Sequence, residues 1–119
     1  MEHISSALIG IGVDVNSVLS RLGGNEVLYL NICRKFLKDK NYQSLQDALA
    51  EKDLISANIY LHTLKGVAAN LGFVKLELLC KNIMENIKNN ELEYIHNKVN
   101  DLSKEYKKII EIFNEEKTL

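Results

Sequence analysis

A histidine, a lysine and a glycine stand together in the run His62-Thr63-Leu64-Lys65-Gly66, which continues through Val67, Ala68, Ala69 and Asn70 to Leu71-Gly72. Residues three and four apart share a face of a helix, so the spacing brings all three to one side. A neutral imidazole is a nucleophile. An ammonium one turn away opposes its protonation and can also neutralise the oxygens of an incoming phosphoryl group. Positioning and charge neutralisation supply most of the catalysis in phosphoryl transfer, so the chemistry that fits these side chains is acceptance of a phosphoryl group on a ring nitrogen. Gly66 is the odd member, because a glycine inside a helix costs roughly 1 kcal/mol relative to alanine. A destabilising residue at that point calls for a functional reason.

At about 100° per residue, Tyr60, Leu61, Leu64, Val67, Ala68 and Leu71 fall in one apolar arc. His62 lies nearly opposite the centre of that arc and is expected to face solvent. Asn58, Lys65, Gly66 and Ala69 surround it, and Ile55 and Phe73 are placed on the same side. Gly66 and Ala69 remove bulk beside the imidazole, so that another protein's active-site rim can descend onto the helix. Asn58 offers a hydrogen bond to such a partner, and an exposed Ile55 and Phe73 would add apolar contact.

The elements that must position this helix can be read from caps and periodicity. Asp14 is a good N-cap for a short helix through Arg21, ended by Gly23 in the left-handed conformation. Asn25 caps a second helix carrying Val27, Leu30, Cys33, Phe36 and Leu37. Ser44 with Asp47 resembles a capping pair and is expected to open a short helix containing Leu45, Ala48 and Leu49. After a turn near Glu51 to Asp53, the His62 helix runs from about Leu54 to Leu71 and Gly72 stops it. Another follows from about Lys75 to Lys88, striped by Leu76, Leu79, Cys80, Ile83 and Ile87, with a break at Asn89-Asn90. In the last helix Leu92, Ile95, Val99, Leu102, Tyr106, Ile109 and Phe113 recur at spacings of three and four, a seam for bundle packing. No strand-like alternation and no internal repeat appears. The expected fold is all-α: an antiparallel up-and-down four-helix bundle with short additional N-terminal helices.

The chain of 119 residues suits one domain with a core of its own. Residues 1–9 are expected to form a poorly ordered or peripheral N-terminal segment. Net charge is −1 with both signs interspersed, which lacks the electrostatic footprint of a nucleic-acid binder. The apolar stretch from Ala7 to Val13 has no basic leader and closes at Asp14, so neither a signal peptide nor a membrane span is expected. Cys33 and Cys80 sit among apolar residues without metal-ligand spacing, as reduced packing residues of a cytoplasmic protein would.

The stretch His62 to Gly72 resembles the signature of histidine-containing phosphotransfer (HPt) domains, in which the histidine and one intervening residue precede Leu-Lys-Gly and Leu-Gly begins six residues after the lysine. Upstream, Ile11-Gly12-Val13-Asp14-Val15, Leu19-Ser20-Arg21-Leu22-Gly23-Gly24-Asn25 and Tyr29 to Phe36-Leu37 are similar to the opening helices of such domains in bacterial multistep phosphorelays. The resemblance covers roughly residues 11 to 88. It implies that His62 receives a phosphoryl group from an aspartate of one response-regulator receiver domain, including one carried by a hybrid sensor histidine kinase, and passes it to an aspartate of another. Lys65 and Gly66 match the motif position by position. The resemblance also implies that Mg²⁺ belongs to the receiver, which agrees with the lack of metal-ligand spacing here; no cofactor of its own is expected, and the chain is expected to be a monomer without autokinase activity. One position departs: twenty-two residues after the histidine, where many relatives carry Gln or Glu near the phosphoacceptor, this chain has Met84. Glu85 is expected to point elsewhere.

Three other readings compete. Glu93-Tyr94-Ile95-His96 spells the Glu-x-x-His pair of di-iron bundles, which need two such pairs and further inward carboxylates. A non-catalytic adaptor bundle would bind a partner through the His62 face and tolerate His62→Gln. The phosphoacceptor module of a histidine kinase would need a nucleotide-binding domain, and the chain contains no Gly-rich loop to hold ATP. His96, on the flank of the last seam, and His3, near the terminus, carry no functional inference.

Overall fold

A computed structural model of the chain describes residues 2–118, and all of their regular structure is helical. The elements are α1 (Glu2–Gly10), α2 (Val15–Arg21), α3 (Glu26–Lys38), α4 (Asn41–Ala50), α5 (Leu54–Leu71), α6 (Val74–Lys88) and α7 (Ile95–Thr118), with a 3-10 turn at Leu92–Tyr94 before α7. Three helices begin where a short polar side chain can satisfy an orphan backbone donor. Asp14 accepts from the Ser17 N–H at 3.3 Å, Asn25 from that of Leu28 at 3.0 Å and Asp53 from that of Ser56 at 3.2 Å. Hydrogen bonds from Ser56, side chain first and backbone second, hold the Asp53 carboxyl below the usual carboxylate range.

The bundle proper is a ring of four helices. Helix α5 packs against α4 on one side and α6 on the other, and α6 packs against α7. The ring closes between α7 and α4, where the rings of Tyr42 and Tyr106 stack with centroids 3.7 Å apart and the Tyr42 hydroxyl donates to Ser103 Oγ at 3.0 Å. Leu45, Leu61, Leu64, Leu76, Ile83, Leu102 and Ile109 fill the interior and are fully buried. Helix α7 has 24 residues against 15 in α6, so part of its apolar seam needs cover from the N-terminal helices. Phe36 of α3 packs edge-on to Tyr106 at 6.0 Å, and the Arg34 guanidinium lies 5.6 Å from the Phe113 ring centre.

Helix α1 supplies the rest of that cover, which corrects the expectation of a poorly ordered or peripheral segment for residues 2–9, Met1 lying outside the described residues. It packs on α7 with Ile4 and Leu8 wholly buried, and full burial of such side chains contributes about 1.5–3 kcal/mol each. The Ser5 hydroxyl donates to Glu26 Oε1 at 3.2 Å, linking α1 to α3, and His3 lies exposed on this helix. The expected start of α4 also moves. Ser44 lies inside the helix, which opens at Asn41 with Asp39 Oδ1 accepting from the Asn41 N–H at 2.7 Å. Asp47 instead accepts from Gln43 Nε2 at 3.0 Å, on the helix surface. Leu92 leaves the α7 seam, because the 3-10 turn rotates it into solvent.

Both cysteines are free and buried, and burial pushes each thiol up to about 12. They stay protonated and serve as packing groups. Among the described residues no helix is long and apolar enough to cross a membrane.

Candidate functional site

Helix α5 is held by its buried stripe, Ala57, Leu61, Leu64, Ala68 and Leu71, between α4 and α6. That leaves its opposite face free. His62 is exposed, with Asn58, Gly66 and Ala69 also exposed and Lys65 half-buried. Gly66 has ordinary helical backbone angles, and a Cβ built on it would meet no atom within 4 Å. The clearance beside the imidazole is therefore real open space, and no packing neighbour requires the glycine.

The C-terminal end of α5 is built on the opposite principle. Gly72 adopts φ +79°, and the Phe73 N–H returns to the Ala68 carbonyl at 2.9 Å while the Gly72 N–H reaches that of Ala69 at 3.3 Å, a left-handed helix stop. The Asp14 N–H donates to the Gly72 carbonyl at 2.8 Å, and this crossing is so close that a Cβ on Gly72 would sit 2.6 Å from the Asp14 carbonyl oxygen. The Tyr29 hydroxyl donates to the Leu71 carbonyl at 2.8 Å from within the core. Burial pushes that phenol far up, with Cys33 adding to the shift, so it remains a donor. Arg21 Nη2 donates to the Asn70 carbonyl at 3.1 Å. Three carbonyls at the end of α5, those of Asn70, Leu71 and Gly72, are thus tied to α2, α3 and the loop before α2.

Phe73 is corrected by this turn. It is 1 % exposed and packs against Phe36 with ring centres 5.7 Å apart. The helical wheel that placed it beside His62 ends at Leu71, and the left-handed Gly72 swings the next side chain into the core. The exposed apolar surface near His62 is supplied instead by Ile55, 81 % exposed, and Ile59, 60 % exposed. Ile59 was missed by the sequence reading, although its place four residues after Ile55 and three before His62 puts it on the same stripe.

The two flanks of α5 differ chemically. Toward α6 a groove of about 490 Å³ is lined by Asn58, Lys65, Lys81, Met84, Glu85, Ile87 and Lys88. Met84 is partly buried against the core and offers only a thioether there. Glu85, expected to point elsewhere, shares the groove wall with it. Toward α3 and α4 a smaller hollow of about 210 Å³ is lined by Ile32, Lys35, Phe36, Asp39, Asn41, Thr63, Leu64 and Val67. The Asn41 amide donates to the Tyr60 carbonyl at 3.1 Å and braces this side.

Glu93 and His96 lie away from this face. They border a third groove with Gln46, Leu49, Lys52, Leu54 and Val99 at the turn between α4 and α5. Among the described residues no group of three or more His, Cys, Asp or Glu side chains is placed to hold a metal ion.

The sequence profile of the Hpt domain matches residues 39–111. That is more than half the chain and takes in α4, α5, α6 and most of α7, and the chain belongs to the Hpt domain family. Membership gives it a phosphotransfer-type role in phosphorelays, with receiver domains as the class of partner. The upstream segments that carried part of the resemblance, in α2 and α3, fall outside the match. No curated protein and no solved structure matches the chain.

Proposed function

We propose that this chain is a phosphorelay intermediate in two-component signalling, with His62 as the phosphoacceptor. The observation that carries the reading is the exposed imidazole on α5, with the Lys65 ammonium three residues on and open space above Gly66. A receiver domain brings an aspartyl phosphate onto this face. A neutral ring nitrogen of His62 attacks phosphorus, the N–P bond forms as the P–O bond to the aspartyl carboxylate breaks, and the carboxylate leaves with the electron pair. Lys65 neutralises the phosphoryl oxygens. The reverse step at a second receiver's aspartate regenerates the free imidazole. Mg²⁺ is assigned to the receiver, and this chain contributes the nucleophile, a cation and a surface without obstruction.

The chain acts without ATP of its own and as a monomer, in the cytoplasm. Asn58, Ala69, Ile55 and Ile59 are the contacts offered to the partner, with Met84 at the edge. Incubation with a phosphorylated receiver domain is expected to give an acid-labile, base-stable phosphoprotein that discharges onto a second receiver. An adaptor that binds without chemistry would form the complex and carry no label.

A further inference from the structure

The grooves on either side of His62 differ in charge. On the α6 side Lys65, Lys81 and Lys88 surround the groove with Glu85 as its one acid; on the α3 and α4 side Lys35 faces Asp39. Lys81 and Lys88 are exposed, and the one ion pair among the described residues joins Lys108 to Glu105, so these lysines are free to meet a partner. They sit one turn to either side of Met84 on α6, and Lys65 and Asn58 sit one turn to either side of His62 on α5. The cationic edge therefore runs alongside the imidazole and lies on one flank of it only.

We propose that this edge is an orienting surface for an acidic partner: the docked receiver lays its most acidic rim over α6, with Lys81 and Lys88 as the residues that select it. The inference rests on the phosphorelay reading and deepens it. A partner that presents an aspartyl phosphate with Mg²⁺ holds that ion through carboxylates and phosphate oxygens, so its reacting surface is anionic around the phosphoryl group. Complementary charge at the rim of an interface acts chiefly on the association rate and on orientation. A one-sided field fixes which way round the partner lands, where a symmetric one would not. Lys65 serves the phosphoryl group, and Lys81 and Lys88 serve the approach.

The test compares the wild-type chain with Lys81→Glu/Lys88→Glu and with Lys35→Glu/Lys38→Glu, which makes the same change in net charge at two exposed lysines of α3, the first of them lining the hollow on the other flank. Each is labelled by the phosphorylated receiver domain that labels the wild type fastest, and separately by phosphoramidate, a small donor that needs no docking. At low salt the α6 variant is expected to accept phosphoryl from the receiver roughly tenfold more slowly, and to lose most of the salt dependence of the wild type. It should react with phosphoramidate at the wild-type rate, while the α3 variant stays within about twofold of wild type with both donors. Equal receiver-dependent rates for the α6 variant and the wild type would overturn the proposal, as would an equal slowing in both variants, which would mark a net-charge effect. If phosphoramidate labels the wild type but no receiver does, or if neither donor labels His62, the phosphorelay reading fails and this inference fails with it.

Discussion

Gly66 and Gly72 stand six residues apart in one motif and are glycines for opposite reasons. Gly72 is needed by the fold: its backbone is left-handed and its α-carbon lies against the Asp14 carbonyl. Gly66 is not, since its angles are helical and nothing surrounds it. The motif thus has two halves. Its first half, His62 to Gly66, turns Leu64 into the core and carries His62, Lys65 and Gly66 on the free face of α5. Its second half, Asn70-Leu71-Gly72, is tied by Arg21, Tyr29 and Asp14 in turn and fixes the helix that carries them.

Substitutions can break or sharpen that division, and they rank by their effect on the fold. Gly72→Ala combines a left-handed backbone with a steric overlap and should destabilise by about 2–4 kcal/mol; chemical denaturation would measure it, and a loss below 1 kcal/mol would remove Gly72 from the framework. Tyr29→Phe leaves the Leu71 carbonyl without its buried partner and should cost about 1–2 kcal/mol, seen as a lower denaturation midpoint with an unchanged slope. Gly66→Ala should instead raise stability by roughly 0.5–1 kcal/mol, and Gly66→Leu should keep helicity while weakening receiver binding in a titration. Full receiver affinity in Gly66→Leu would mean that the clearance has no role. Lys65→Ala should leave stability within about 0.5 kcal/mol and slow phosphotransfer; an unchanged rate would take Lys65 out of the chemistry.

Much of this division was legible in the sequence, and the rest was hidden for identifiable reasons. The caps at Asp14 and Asn25 fixed the starts of α2 and α3 because a short polar side chain before an apolar period has a single local use. The exposure of His62 followed from the wheel, since α5 is a continuous 18-residue helix over which a constant angle holds. The same wheel failed at Phe73, one residue past the left-handed stop. Leu92 failed similarly, because the 3-10 turn breaks the phase of the seam. The role of α1 could not be read because Ile4 and Leu8 give one helical repeat, too short to announce a buried face; what buries them is the overhang of α7, a tertiary fact. The asymmetry of charge around His62 was likewise invisible until α6 brought Lys81 and Lys88 alongside Lys65.

The central claim is that one exposed imidazole carries the phosphoryl group, that Lys65 neutralises it, and that the rest of the motif holds the helix and clears the way. It is tested most directly by mapping the labelled residue after reaction with a phosphorylated receiver, in the wild type and in His62→Gln with its folding verified by thermal denaturation. The account predicts a phosphoryl group on His62, none on His3 or His96, and no label in a His62→Gln chain that melts at the wild-type temperature. Label that persists in the folded His62→Gln variant, or that maps to another histidine, would contradict it.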